Sequence, residues 1–104
     1  MITFDSDNSI QLSVNAGTTL YDALIAAGET AANIAKISSW SLDIEDQDCR
    51  VSIGNTPTTD KGVRFFQDAL YSIKGTAQEI YIIPVTGTAK INIIPGIAVA
   101  NFNS

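Results

Sequence analysis

Ile10, Leu12 and Val14 are separated by the polar residues Gln11 and Ser13. A period of two sends successive side chains to opposite faces, so 10–14 predicts a half-buried strand. The short apolar run 1–4 precedes it across the turn formers Asp5, Ser6, Asp7, Asn8 and Ser9, and the two runs read as an opening β-hairpin. Asn15, Ala16 and Gly17 break the strand. Thr18 or Thr19 then caps a predicted helix whose apolar face carries Leu20, Ala23, Leu24 and Ala27, and Gly28 stands where a left-handed residue ends a helix. Residues 30–37 predict a further helical turn or two, with Ala31, Ile34 and Ala35 on one face.

Alternation returns at Trp40, Leu42 and Ile44 and again at Cys49, Val51 and Ile53. The acidic stretch 45–48 between them is short enough to join the two strands as a second hairpin. Residues 54–62 form a polar loop, the segment best suited to making contacts. Val63, Phe66, Leu70 and Ile73 recur at spacings of three and four before Gly75, which predicts a short helix within 61–74, although 71–73 reads equally as strand. The near-continuous Ile and Tyr run in 79–85 predicts a central strand that ends at Pro84, since proline cannot donate to a ladder. A last strand over 90–94 leads to Pro95 and Gly96, and its likeness to 80–85 reads as coincidence between Ile-rich strands rather than a repeat. The order of hairpin, helix, hairpin, loop and strand predicts an α+β chain of the β-grasp, ubiquitin-like kind. That fold has a mixed sheet with one main helix, here with an extra C-terminal strand or tail. The expected division is 1–88 for the β-grasp domain and 89–104 for the apolar tail, which either adds a strand to its own sheet or docks on a neighbour.

With 104 residues, 45% of them hydrophobic, the chain holds one core and no more. Eleven acidic against six basic residues give a net charge of −5, which disfavours nucleic acid and anionic membrane as partners. There is no His and only one Cys, so a disulfide framework, a Cys/His zinc site and the commonest general base are all excluded. The expectation is therefore no enzyme, no cofactor and no metal. Asp43, Glu45, Asp46 and Asp48 do not follow the calcium-loop pattern, because the sixth position is Asp48 and the twelfth is Gly54 rather than Gly and Glu. They read as a solvated acidic hairpin tip. Cys49 is in phase with Val51 and Ile53 and reads as a buried, inert thiol, since no imidazole activates it and the nearby Asp46 and Asp48 raise its pKa. The first residues carry no basic, long-apolar leader and read as the start of a cytoplasmic product.

The segment 79–90, Glu-Ile-Tyr-Ile-Ile-Pro-Val-Thr-Gly-Thr-Ala-Lys, resembles the end of the ubiquitin-like domain in the lambda-type phage tail assembly protein I family, where an Ile-Ile-Pro-Val strand leads to a Gly-Ala-Lys-like turn and an apolar tail. The strand 50–54, the polar loop after it and the run 91–100 are similar in placement. The resemblance implies a tail-assembly or minor structural protein of a virion, and it brings no catalytic residues. The implied partners are other virion structural proteins or further copies of the chain, met first in the host cytoplasm and then in the particle. The expected contact residues are Pro84, Val85, Lys90, Ile91, Ile93, Ile94, Ile97, Val99 and Phe102, working by apolar burial. A rival from another class is a small acidic regulator or inhibitor that binds a basic protein surface through 43–48.

Overall fold

The computed structural model describes residues 9–54 and 62–96. In chain order these form β1 (Ile10–Val14), β2 (Thr18–Thr19), α1 (Leu20–Ala26), α2 (Ala31–Ala35), β3 (Ser39–Asp46), β4 (Cys49–Ile53), β5 (Val63–Phe65), β6 (Ala69–Lys74), β7 (Ile80–Pro84) and β8 (Ala89–Pro95). The strands make two four-stranded sheets, ordered β1-β8-β3-β6 and β2-β7-β4-β5. Every pairing in both is antiparallel.

The two orders match position by position, because each strand of the first sheet continues through a short bend into its counterpart in the second. Four long strands, 10–19, 39–53, 63–74 and 80–95, therefore run through both layers. The pairing of β3 with β6 places Ile44 opposite Ala69, and the next pairing, in the other sheet, places Cys49 opposite Phe65. Pairing thus resumes beyond the bend with almost unchanged register. Three of the four bends contain a residue in the left-handed region: Gln47 (φ 67°), Asp68 (φ 65°) and Gly87 (φ 61°). Corners of this kind let a sheet fold over on itself without ending its ladders.

Folding over brings the inward faces together. Leu12, Val14, Trp40, Leu42, Ile44, Ala89, Ile91 and Ile93 come from the first sheet, and Cys49, Val51, Phe65, Ile80 and Ile82 from the second. Leu20, Leu24 and Ile34 of the helices close one side. Thr19 caps α1 by accepting the Asp22 amide at 3.0 Å, and Thr30 caps α2 by accepting that of Asn33 at 3.2 Å. Gly28, at φ 102°, ends α1 in the conformation that L-residues avoid. The outward side of β3 is buried as well: Ser41, fully buried, donates from its hydroxyl to the Gly96 carbonyl at 2.8 Å and shares a hydrogen bond with the Ser72 hydroxyl at 2.9 Å. Small polar residues suit that face because each buried hydroxyl finds a partner.

Several expectations are corrected. The fold is not a β-grasp with a mixed sheet and one main helix: the described residues form two antiparallel sheets and two helices of seven and five residues. A β-grasp helix must be long enough to cross a sheet, and Gly28 stops α1 before it can do so. The strands around 45–48 do not pair with each other as a hairpin, since β3 and β4 lie in different sheets. Residues 63–74 are strand and not helix. The bend at 66–68 shifts the alternation, so that the exposed Phe66 and Leu70 imitate helical spacing with Val63 and Ile73. The expected strand 1–4, most of the polar loop and the residues beyond 96 lie outside the described residues.

The boundary expected at 88 falls between β7 and β8, and β8 is a central strand paired with both β1 and β3. Deleting residues 89–104 therefore removes Ala89, Ile91 and Ile93 from the core and exposes two ladders. The truncated chain is expected to lose its near-UV circular dichroism and NMR dispersion. The single substitution Ile91→Ala is expected to cost about 2–5 kcal/mol in urea unfolding. Native-like spectra from the truncation would contradict this placement.

Candidate functional site

Two features at opposite ends of the first sheet stand out, a polar corner at the fold line and a cavity at the open end. The corner is built around Asp48. Its carboxylate accepts the Gln67 amide at 2.7 Å and the Arg64 guanidinium through Nε at 3.0 Å and Nη2 at 2.6 Å, while its carbonyl accepts the Val85 amide at 2.9 Å. One residue thus joins three of the bends. The Asp68 amide donates to the Ile44 carbonyl at 2.6 Å, and the Thr86 hydroxyl donates to Gln47 Oε1 at 3.0 Å.

Phe66 stands out from this corner, 55% exposed. Its amide donates to the Tyr71 hydroxyl at 3.0 Å, and the Arg64 guanidinium carbon lies 5.5 Å from its ring centroid. The neighbouring Phe65 turns the other way, into the core, and stacks on Tyr71 with centroids 4.0 Å apart. The protein therefore fixes the backbone of Phe66 and places a cation over its ring, while leaving much of that ring in water.

At the other end, α1, α2 and the outer ends of β1, β3 and β8 enclose a cavity of about 480 Å³. Ile10, Leu24, Ile37, Trp40, Ile93 and Pro95 supply its apolar lining. Glu29, Asn33 and Lys36 add polar groups from the helical side. Glu29 Oε1 accepts the Thr30 amide at 2.8 Å and Asn33 Nδ2 at 3.0 Å, and these two bonds hold its carboxyl below the usual range. The Trp40 indole N–H is satisfied by the Gly75 carbonyl at 3.2 Å, so what that ring offers the cavity is apolar surface.

The expected contact residues are scattered by this arrangement. Ile91 and Ile93 are buried in the chain's own core, and Ile94, 6% exposed, lies in β8 opposite Ser41. Pro84 is the buried last residue of β7, Val85 is half-buried at the corner, and Lys90 is exposed. Ile97, Val99 and Phe102 lie outside the described residues. The hydrophobic pattern placed Phe66 on a helix face, which hid its exposed position at a bend, and it carries no information about the charged residues Glu29 and Lys36.

The chemistry of the remaining groups is limited. Burial, with Asp48 adding to it, pushes the Cys49 thiol up to about 12, so its thiolate is not formed near neutral pH. Among the described residues, no group of three or more His, Cys, Asp and Glu could hold a metal ion. Nor is any described helix long and apolar enough to cross a membrane. The fold and these two ends define a small antiparallel β-sandwich with a polar corner and an end cavity of mixed lining. No protein-family model, curated protein or solved structure matches the chain.

Two carboxylates of the acidic stretch shift in opposite directions. The Gln67 amide, and after it Arg64, hold Asp48 below the ordinary aspartate value. Partial burial, and then the charges of Glu45 and Asp68, push Asp43 above it. A depressed folded pKa adds stability above the unfolded value and loses it as pH falls through the folded one. A raised folded pKa does the reverse, removing stability as pH rises from the unfolded to the folded value. Asp48→Asn is accordingly expected to lower the melting temperature at neutral pH and to flatten its fall in acid, and Asp43→Asn to raise it at neutral pH. Thermal melts across the acid range check both signs, and shifts of the same sign in the two variants would contradict this assignment.

Proposed function

We propose that this chain is a non-enzymatic structural or assembly protein of a phage particle, made in the host cytoplasm and built into the virion by protein–protein contacts. The observation that carries the reading is the presentation of Phe66, an aromatic ring held in solvent by a hydrogen-bonded backbone and a facing guanidinium. Aromatic and arginine side chains placed together on a rigid surface are the usual anchors of protein interfaces. Leu70, four residues further on in β6, is also 41% exposed. The phage assignment itself rests on the likeness of 79–90 to the tail-assembly pattern, whose ubiquitin-like fold this chain does not share.

The rival reading, an acidic regulator that meets a basic surface through 43–48, is less well supported. Asp48 is engaged by Arg64 and Gln67, and Glu45 Oε1 accepts Gln11 Nε2 at 2.6 Å, so half of that acidic group already has partners within the chain's own surface. Binding through apolar contacts is nearly insensitive to salt, whereas binding through the acidic stretch weakens strongly as salt rises.

Quantitative mass spectrometry of gradient-purified particles from cells that express the gene tests the proposal. The expected result is a constant number of copies per particle, retained through a high-salt wash. Recovery of the chain in the soluble fraction alone, with none in particles, would overturn it.

A further inference from the structure

The corner and the cavity lie at opposite ends of the same strands. From Trp40, which lines the cavity, to Asp46 beside the corner, β3 runs six residues, about 20 Å at the usual rise of about 3.3 Å per residue. One end carries a projecting aromatic ring, and the other a recess with an apolar floor and polar groups from the helical side. We propose that copies of this chain join head to tail, with the Phe66 ring of one copy seated in the end cavity of the next. The inference rests on the assembly reading and specifies its joint.

Charge and shape both favour a second copy as the occupant. Phe66 is flanked in sequence by Arg64 and Asp68, one positive and one negative. The cavity carries Glu29 and Lys36 beside its apolar lining, again one of each sign. Arg64 meets Asp48 through Nε and Nη2, leaving Nη1 for the Glu29 carboxylate of a neighbour, and Asp68 is then placed toward the neighbour's Lys36. A recess of about 480 Å³ lies within the range of pockets that hold small-molecule ligands and is large enough for a phenyl ring. Its lining of Trp40, Leu24, Ile37 and Ile93 offers the apolar contacts an aromatic ring needs. A contact between unlike surfaces does not close on two subunits, so repetition gives a ring or an open stack.

Two exposed substitutions test the joint. Phe66→Asp removes the projecting ring and leaves the cavity intact, and Asn33→Trp fills the mouth of the cavity and leaves the ring intact. Circular dichroism first establishes that each variant is folded. By sedimentation velocity, the wild-type chain is expected to grow past the dimer as concentration rises, and each variant alone to associate at least roughly tenfold more weakly. An equimolar mixture of the two variants is expected to form a one-to-one dimer and stop there, since one good ring and one good cavity remain. The pair Lys36→Asp with Asp68→Lys supplies a second arm, in which either charge reversal alone weakens association and the two together restore it.

A monomeric wild-type chain at all concentrations, undiminished association of the variants, or a mixture that fails to pair would each overturn the head-to-tail joint. Particles that contain a chain failing this test would leave the assembly reading standing. Association as described, by a chain absent from particles, would do the opposite.

Discussion

The structure depends on one geometric constraint: four strands must turn from one sheet into the other at the same level without losing their neighbours. Asp48 sits at the centre of that line, accepting hydrogen bonds from Arg64, Gln67 and Val85 on the strands to either side. An amide left without a partner at a bend inside a sheet is costly, so the corner holds only if side chains replace the ladder bonds lost there. The Asp48 carboxylate does this for Gln67, and main-chain carbonyls serve Asp68 and Val85. Once the line is fixed, the inward faces of both sheets meet and the core follows.

The same constraint sets what the surface presents. A sheet that folds at one end is closed there by polar contacts and is left open at the other, where α1 and α2 cover the gap incompletely and leave the cavity beside Trp40. Phe65 and Phe66 are adjacent, yet one packs on Tyr71 in the core and the other faces solvent, because strand β5 ends between them and the chain turns toward β6. The molecule is therefore polar along its strands, with unlike surfaces at its two ends. The head-to-tail joint we propose would bring those unlike ends together. Cys49, the single thiol, contributes as core volume beneath the corner.

Much of the local structure was legible in the order of residues. The alternations at 10–14, 40–44 and 49–53 lie in strands, the Thr caps and Gly28 frame the helices, and Pro84 ends its strand. The architecture was less accessible. Alternation tells which face of a strand is buried and is silent on which strand lies beside it, so β3 and β4 read as one hairpin although they belong to different layers. Two short strands joined by a bend also mimicked a helix over 63–74, since apolar residues on different faces of two strands happen to fall at spacings of three and four. Of the contact residues expected in 84–102, Ile91, Ile93 and Ile94 are buried in the chain's own sheet, because a run of isoleucines marks burial, and burial inside the chain and burial against a partner look the same in sequence.

Amide hydrogen exchange by solution NMR, read together with cross-strand contacts, tests the folded-over sheet most directly. The account requires slow exchange at the Asp68 and Val85 amides, comparable with the centres of β3 and β7, and nuclear Overhauser contacts between Ile44 and Ile91 in one layer and Val51 and Ile82 in the other. Fast exchange at both corner amides, or contacts showing β3 and β4 paired with each other, would contradict it.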